Sequence, residues 1–321
     1  MAQAPNIDGV LIQWGDRLFY PGNRIVKVAP DPGLKGSTQQ QRAAAIRERI
    51  AATVVRRAPQ VMVKVTGGGR GMKAIAAHFR YISKNGRLDI EDERGQKMSG
   101  KDALPELADD WRYGGSLIED QGSRREAFNI MLSMPRGTDP LIVLRAAREF
   151  AQADLADHKY VMVLHDHQAN PHVHISVRAE SKHGKRLNPR KADLQRWRET
   201  FAEKLRGWGI DAEATRQATR GASRNYDPLW RIKAKEDDRL RTSRLTTKRS
   251  PNTMVTRAVV IDAWGEIARA LAASGDKSNH YLAQAVAKYV SELPAITGTD
   301  RASVLPISFE PTRPVDREYQ K

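Results

Sequence analysis

The chain has 321 residues, of which 40% are hydrophobic and 29% are charged, and this is the composition of a folded protein rather than of a disordered one. Its formal net charge of +16 favours a polyanionic partner, of which nucleic acid is the commonest. The absence of cysteine excludes disulfides, thiolate nucleophiles and zinc sites built on sulfur. Because we find neither a secretory signal nor an apolar run of about 18 residues, we expect no membrane insertion and a cytoplasmic location.

The N-terminal part of the chain divides into an arm and a helix. Residues 1–40 are rich in Gly, Pro and Gln, and this composition predicts a loosely structured arm. Apolar residues at helical spacing predict a helix over residues 41–57, which ends before Pro59. The arginines of this helix make it a candidate for contact with DNA phosphates.

Strand and helix patterns alternate from residue 60 onwards. A short β-branched segment, residues 60–66, predicts a strand, and residues 72–84 predict a helix with an apolar stripe. The glycine-rich turn between them carries Arg70 and lacks the phosphate-loop pattern, so we interpret it as a turn that lets the backbone approach DNA.

The remaining elements predict an α+β fold with an antiparallel-rich central sheet and helices packed on one of its faces. The last two strands are joined by a short polar loop that ends in Asn-Pro, which indicates an antiparallel hairpin. The predicted elements are a polar loop at residues 91–100, a helix at 102–112, a strand at 126–135, a helix from Asp139 to about residue 155, strands at 159–165 and 172–179, and a helix at 189–208.

The C-terminal third begins with a basic stretch at residues 216–249, which predicts an extended or helical arm that contacts DNA phosphates. Tyr226 and Trp230 in this arm are candidates for stacking on unpaired bases. Residues 256–293 have helical periodicity with a break near Ser274 and Gly275, and the last residues predict a tail.

Four of the eight histidines fall within ten residues: His165, His167, His172 and His174. Strand alternation places His172 and His174 on one face, opposite the apolar face of the same strand, and His165 ends the partner strand across the loop. Three neutral imidazoles with an open position suit a catalytic divalent metal, which polarises a phosphodiester towards attack. The alternative is a set of surface histidines on a polar sheet face.

Tyr81 is the candidate nucleophile. In a protein without cysteine the choice lies between water, Ser or Thr, and Tyr. Tyr81 falls off the apolar stripe of its predicted helix, with His78 and Lys84 three residues away on either side. The alternative is an ordinary amphipathic tyrosine.

Three blocks of sequence resemble the DNA relaxases of conjugative and mobilisable elements, in the class that includes the T-DNA border endonuclease. They are VKVTGGGRGMKAIAAHFRYISKNGRL at residues 63–88, FNIMLSMPRGTDP at residues 128–140 and YVMVLHDHQANPHVHISV at residues 160–177. The blocks occur in the family's order and spacing, and the resemblance covers about half of the chain. It implies a relaxase-type core of the ferredoxin or RRM kind.

The resemblance also implies a reaction and its residues. Tyr81 would attack a phosphate of one DNA strand, form a bond to the 5′ phosphate and free a 3′ hydroxyl, reversibly. His165, His172 and His174 would hold Mg²⁺ or Mn²⁺, and Ser133 would contact DNA near the nick. Arg70 and Lys84 are two further candidates for DNA binding.

One departure from the family concerns the general base. The family has Asp two residues after the first histidine of the block, where this chain has His167 with Asp166 beside it. Three alternatives stay open: Asp166 takes over, His167 serves as the base, or the metal alone lowers the pKa of the phenol.

The resemblance covers a relaxase catalytic domain (60–221). Composition and periodicity on either side predict an N-terminal arm and basic helix (1–59), a basic linker (222–253) and a C-terminal helical segment and tail (254–321). The implied partners are single-stranded or supercoiled DNA at a transfer origin, relaxosome accessory proteins and a type IV coupling protein. The chain would act in the cytoplasm or be exported while covalently bound to the transferred strand.

Two other functions remain as alternatives. A rolling-circle initiator or single-strand transposase of the same chemistry typically has a pair of tyrosines at helical spacing, and no second tyrosine surrounds Tyr81. A non-catalytic DNA-binding accessory protein would not need Tyr81 at all.

Overall fold

A computed structural model describes residues 6–19, 37–221, 234, 237–239 and 251–293. Strands and helices alternate along its middle part, and helices precede and follow them. In chain order the elements are α1 (Ile7–Phe19), α2 (Ser37–Val54), β1 (Met62–Gly67), α3 (Met72–Ile82), β2 (Ile90–Asp92), β3 (Lys97–Met98), α4 (Ala103–Tyr113), β4 (Ala127–Ser133), α5 (Pro140–Asp154), β5 (His158–His165), β6 (His172–Ser181), α6 (Lys191–Gly207), α7 (Pro251–Ala272) and α8 (Lys277–Ser291).

The strands of the described residues form a six-stranded sheet in the order β1-β4-β6-β5-β2-β3. Every neighbouring pair is antiparallel, which confirms the predicted α+β class. The predicted hairpin is also confirmed, because β5 pairs with β6 and His165 lies directly opposite His172. On the other side of β6, Ser133 of β4 pairs with the same histidine.

Helices cover both faces of the sheet, so the expectation of helices on one face was wrong. Val173, Ile175 and Val177 of β6 face the core that α5 and α6 close. The opposite face carries the histidines, but it is apolar along β5, where Val161 and Val163 pack against α3 and α4. The apolar stripe of α3 is therefore buried against the histidine face of the sheet.

The segment expected to be a polar loop contains the short hairpin β2–β3. Its turn is closed by Asp92, whose carboxylate accepts hydrogen bonds from the backbone N–H of Arg94 at 3.0 Å and of Gln96 at 2.8 Å. Strands of two and three residues are too short to show an alternating pattern, and this is why the sequence did not predict them.

The expectation of a loose N-terminal arm was wrong over α1. Leu11, Leu18 and Phe19 of this helix are buried in a core shared with α2, α7 and α8. The break near Ser274 between two C-terminal helices is confirmed. None of the described helices is long and apolar enough to cross a bilayer.

Several expectations fall on residues that the structure leaves undescribed. Tyr226, Trp230, most of the basic arm and the tail from residue 294 onwards lie outside the described residues. The division into four parts at residues 59, 221 and 253 remains a proposal.

The arginines of α2 and of the turn after it face carboxylates of the protein, and their expected contact with DNA phosphates stays a prediction. The most buried of them is Arg49, whose guanidinium lies 2.8 Å from the carboxylate of Glu213 and 3.2 Å from that of Glu199. A sequence gives the charge of a helix but not its long-range partners. The other pairs are Arg42 with Asp16, Arg47 with Asp8, Arg56 with Glu48 and Asp211, and Arg57 with Glu292.

We predict that Arg49→Met lowers the free energy of unfolding by about 3 kcal/mol, because it leaves the Glu213 carboxylate buried without its partner. Arg56→Met is the matched control, since Arg56 and Asp211 are both exposed, and it should cost less than about 1 kcal/mol. Urea unfolding followed by circular dichroism measures both. Equal effects of the two substitutions would contradict this assignment.

Candidate active site

The three predicted ligand histidines come together at the end of the β5–β6 hairpin. His165, His172 and His174 are all buried, and their ring centroids lie 4.6 to 5.0 Å apart. One ring nitrogen of each lies within 4.8 Å of the corresponding nitrogens of the other two. Their burial argues against the alternative of surface histidines on a polar sheet face.

Two backbone carbonyls set the tautomers of two of these rings. Nε2 of His165 donates to the carbonyl oxygen of Ile82 at 2.7 Å, and Nδ1 of His172 donates to that of Asn170 at 2.9 Å. A carbonyl only accepts, so these nitrogens carry the protons, and Nδ1 of His165 and Nε2 of His172 keep free lone pairs. Nδ1 of His174 is buried and has no hydrogen-bond partner among the described residues. A donor set of this kind fits a divalent metal.

Burial also keeps the rings neutral. Burial, with smaller contributions from the imidazoles of His165 and His172, lowers the pKa of His174 to about 3. Burial lowers the pKa of His165 below its usual value, although the hydrogen bond to Ile82 opposes this shift in part. Imidazoles must be unprotonated to bind a metal, and these two meet that condition at neutral pH.

Tyr81 lies beside this cluster on α3. Phe79 and Ile82 anchor the helix in the core, and Tyr81 emerges on its flank with 68% of its surface exposed. Its ring centroid lies 6.3 Å from that of His174. Because the carbonyl of Ile82 also accepts the hydrogen bond from His165, the helix that carries Tyr81 is attached directly to the histidine cluster.

Asp166 and His167 both lie exposed on the loop between β5 and β6. The His167 ring centroid is 5.1 Å from that of His165. Within the part of the chain that the structure describes, neither residue makes a hydrogen bond or ring contact with Tyr81. Both therefore stay candidates for the general base.

The three expected DNA contacts differ in their surroundings. Ser133 is buried, and its hydroxyl donates a hydrogen bond to the carbonyl of Pro171 at 3.3 Å. This bond attaches the end of β4 to the loop between β5 and β6. Arg70 is exposed in the turn before α3. Lys84 is exposed just after α3, with a left-handed backbone at φ 52°.

His78 is a residue of the site to which the sequence analysis assigned no role. Its ring stacks on that of Tyr81 at 6.0 Å and lies 6.4 Å from that of His174. Its Nε2 is buried with no hydrogen-bond partner in the part of the chain that the structure describes, and burial lowers the pKa of His78 to about 4. The signal in the sequence was its position one helical turn before Tyr81, which puts the two side chains on one flank of α3.

Comparison with known proteins connects this site to one family. Residues 81–210, which include Tyr81 and the three histidines, match the family model described as "Relaxase: MobA/VirD2-like, nuclease domain". The T-DNA border endonuclease VirD2 of Rhizobium radiobacter is 26% identical over 183 residues, a region that covers 50% of this chain and 43% of that protein. The chain therefore spans less than half the length of this curated relative.

We predict that the metal-free protein loses stability as the pH falls below about 6.5, because the unfolded chain then takes up protons that buried His174, with a pKa of about 3, does not. This histidine contributes a slope of up to about 1.4 kcal/mol per pH unit. Urea unfolding in EDTA between pH 7 and pH 5 measures the slope, which should be shallower in His174→Gln. His183→Gln replaces an exposed histidine and is the control, which should keep the wild-type slope. A wild-type slope in His174→Gln would contradict the assignment of the slope to His174.

Proposed function

Residues 81–210 carry the nuclease domain of the MobA/VirD2-like relaxase family, which confirms the resemblance, and on this premise we propose that the chain is a DNA relaxase. It nicks one strand at the transfer origin of a plasmid or other mobile element and can rejoin the ends. The observation that carries the proposal is the position of the exposed Tyr81 ring, 6.3 Å from the ring of His174.

Tyr81 supplies the attacking oxygen. Its phenol loses a proton, the oxygen forms a bond to phosphorus, and the bond from phosphorus to the 3′ oxygen breaks, which leaves a 5′-phosphotyrosine and a free 3′ hydroxyl. The ester keeps the energy of the broken bond, so the 3′ hydroxyl can attack it and restore the strand. Asp166 and His167, on the loop next to His165, are the candidates to take the phenol proton.

His165, His172 and His174 would hold Mg²⁺ or Mn²⁺. When bound, the ion supplies Lewis-acid polarisation of a phosphate oxygen. The carbonyls of Ile82 and Asn170 orient two of the rings, and burial keeps His165 and His174 unprotonated. His165 and His174 thus keep a lone pair available at neutral pH.

The uncovered part of the histidine face offers a path for the DNA strand. Helices α3 and α4 cover the side of β5 and β2, whereas Met62, Lys64 and Thr66 of β1 are exposed on the same face as the histidines. Met131 of β4 is half-buried between Lys64 and His174. The acidic residue that β6 places on this face is Glu180, which lies at the far end of the strand and is paired with Arg186. The residues of β1, β4 and β6 nearest the histidines are not acidic, so the surface beside the cluster does not repel phosphates.

The wider biology of the chain is proposed from its family alone. Its DNA partner would be single-stranded or supercoiled DNA at the transfer origin, assembled with relaxosome accessory proteins. A type IV coupling protein would then pass the covalently bound strand on, together with the protein.

We predict that Tyr81→Phe abolishes the covalent protein–DNA adduct, because the substituted ring keeps its packing and loses only the attacking oxygen. The measurement is denaturing gel electrophoresis after incubation with a labelled single-stranded oligonucleotide of the transfer origin and Mn²⁺. Tyr113→Phe removes the hydroxyl of another exposed tyrosine and should leave the adduct unchanged.

An adduct that survives in Tyr81→Phe would assign the nucleophile elsewhere. If the wild-type chain binds the oligonucleotide but forms no adduct with any divalent metal, the chain is a non-catalytic DNA-binding protein and the proposal is wrong.

We predict that Lys64→Ala weakens binding of the oligonucleotide. The slope of log K against the logarithm of the salt concentration should become shallower by about one unit, as expected for one lost phosphate contact. Lys288→Ala, on the exposed side of α8, is the matched control and should leave the slope unchanged. Fluorescence anisotropy at several salt concentrations, with both substitutions made in Tyr81→Phe, measures binding without cleavage. An equal effect of the two would count against this path.

A further inference from the structure

The three histidines differ in what their second ring nitrogen contacts. The second nitrogen of His165 is held by the carbonyl of Ile82, and that of His172 by the carbonyl of Asn170. Nδ1 of His174 is buried and has no partner among the described residues. Metal-binding histidines almost always donate this nitrogen to another group, which fixes the tautomer and orients the ring.

His78 carries the complementary atom. Its Nε2 is likewise buried without a partner, and its ring lies 6.4 Å from the ring of His174, nearly at right angles to it. Two buried polar atoms on neighbouring rings leave two hydrogen bonds unmade, and a buried water molecule bridges such atoms when both face a polar gap.

We propose that His78 is a positioning residue for the metal ligand His174, to which it is joined through one buried water molecule. Nδ1–H of His174 donates to the water, and the water donates to Nε2 of His78. This leaves the lone pair of His174 on Nε2, as in His172, free to bind the metal. The proposal rests on the metal centre of the proposed function.

In this arrangement Nε2 of His78 must accept a hydrogen bond, and this nitrogen is buried with no other partner among the described residues. A phenylalanine would stack on Tyr81 equally well and would bury no unpaired nitrogen, so the stack alone does not account for a histidine here. The same ring thus contacts the nucleophile on one side and a metal ligand on the other.

Two substitutions distinguish the effect of the acceptor nitrogen of His78 from the effect of its ring stacking on Tyr81. His78→Phe keeps the stack on Tyr81 and removes the acceptor, whereas His78→Gln removes the stack and keeps an acceptor at a similar reach. Since loss of the stack alone would also slow cleavage, the primary readout is Mn²⁺ affinity of the full chain, measured by titration calorimetry without DNA. His183→Ala, an exposed histidine away from the cluster, is the matched control.

We expect His78→Phe to weaken Mn²⁺ binding at least about 10-fold, as loss of an outer partner does, and His78→Gln to stay within about 3-fold of wild type. In the metal-free protein at pH 7, ¹⁵N NMR should find the proton of His174 on Nδ1 in wild type and distributed over both nitrogens in His78→Phe. Thermal melting confirms that each variant is folded.

Wild-type Mn²⁺ affinity and an unchanged His174 tautomer in folded His78→Phe would overturn this inference and leave the proposed function standing. A wild-type chain that binds no divalent metal would instead refute the metal centre itself. Weakening in His78→Gln that equals or exceeds the weakening in His78→Phe would show that the hydrogen-bond acceptor does not account for the effect, and would also overturn the inference.

Discussion

The direct pairing of His165 with His172 across the β5–β6 hairpin sets the geometry on which the site depends. Side chains alternate along a strand, so a shift of one residue would send one histidine strand to the opposite face. The register is stabilised by Val173, Ile175 and Val177, which are buried on the face closed by α5 and α6. The hydrophobic core thereby determines where the imidazoles converge.

The hydrogen bond that orients His165 also attaches the helix that carries Tyr81. Ile82 is the last residue of α3, so its carbonyl has no partner within the helix. Left-handed backbone at Lys84, Asn85 and Gly86 turns the chain away directly afterwards, and the carbonyl is left for Nε2 of His165. Helix termination, ligand orientation and the position of Tyr81 are thus parts of one local arrangement.

What the sequence predicted well was local. Alternation along β6 predicted the shared face of His172 and His174, and the apolar stripe of α3 predicted that Tyr81 would lie off the core. What it did not predict depends on contacts between distant segments. The burial of α1 against α7, the carboxylate partners of Arg49 and the helices on the second sheet face follow from tertiary packing.

We expect the three histidines to hold one divalent metal beside Tyr81. Anomalous diffraction from a crystal of the protein soaked in Mn²⁺ is the measurement that tests this metal centre. One strong peak is expected at coordination distance, about 2.0–2.3 Å, from Nδ1 of His165 and Nε2 of His172 and of His174. A crystal that binds Mn²⁺ only elsewhere, or a peak that contacts fewer than three of these histidines, would contradict this expectation.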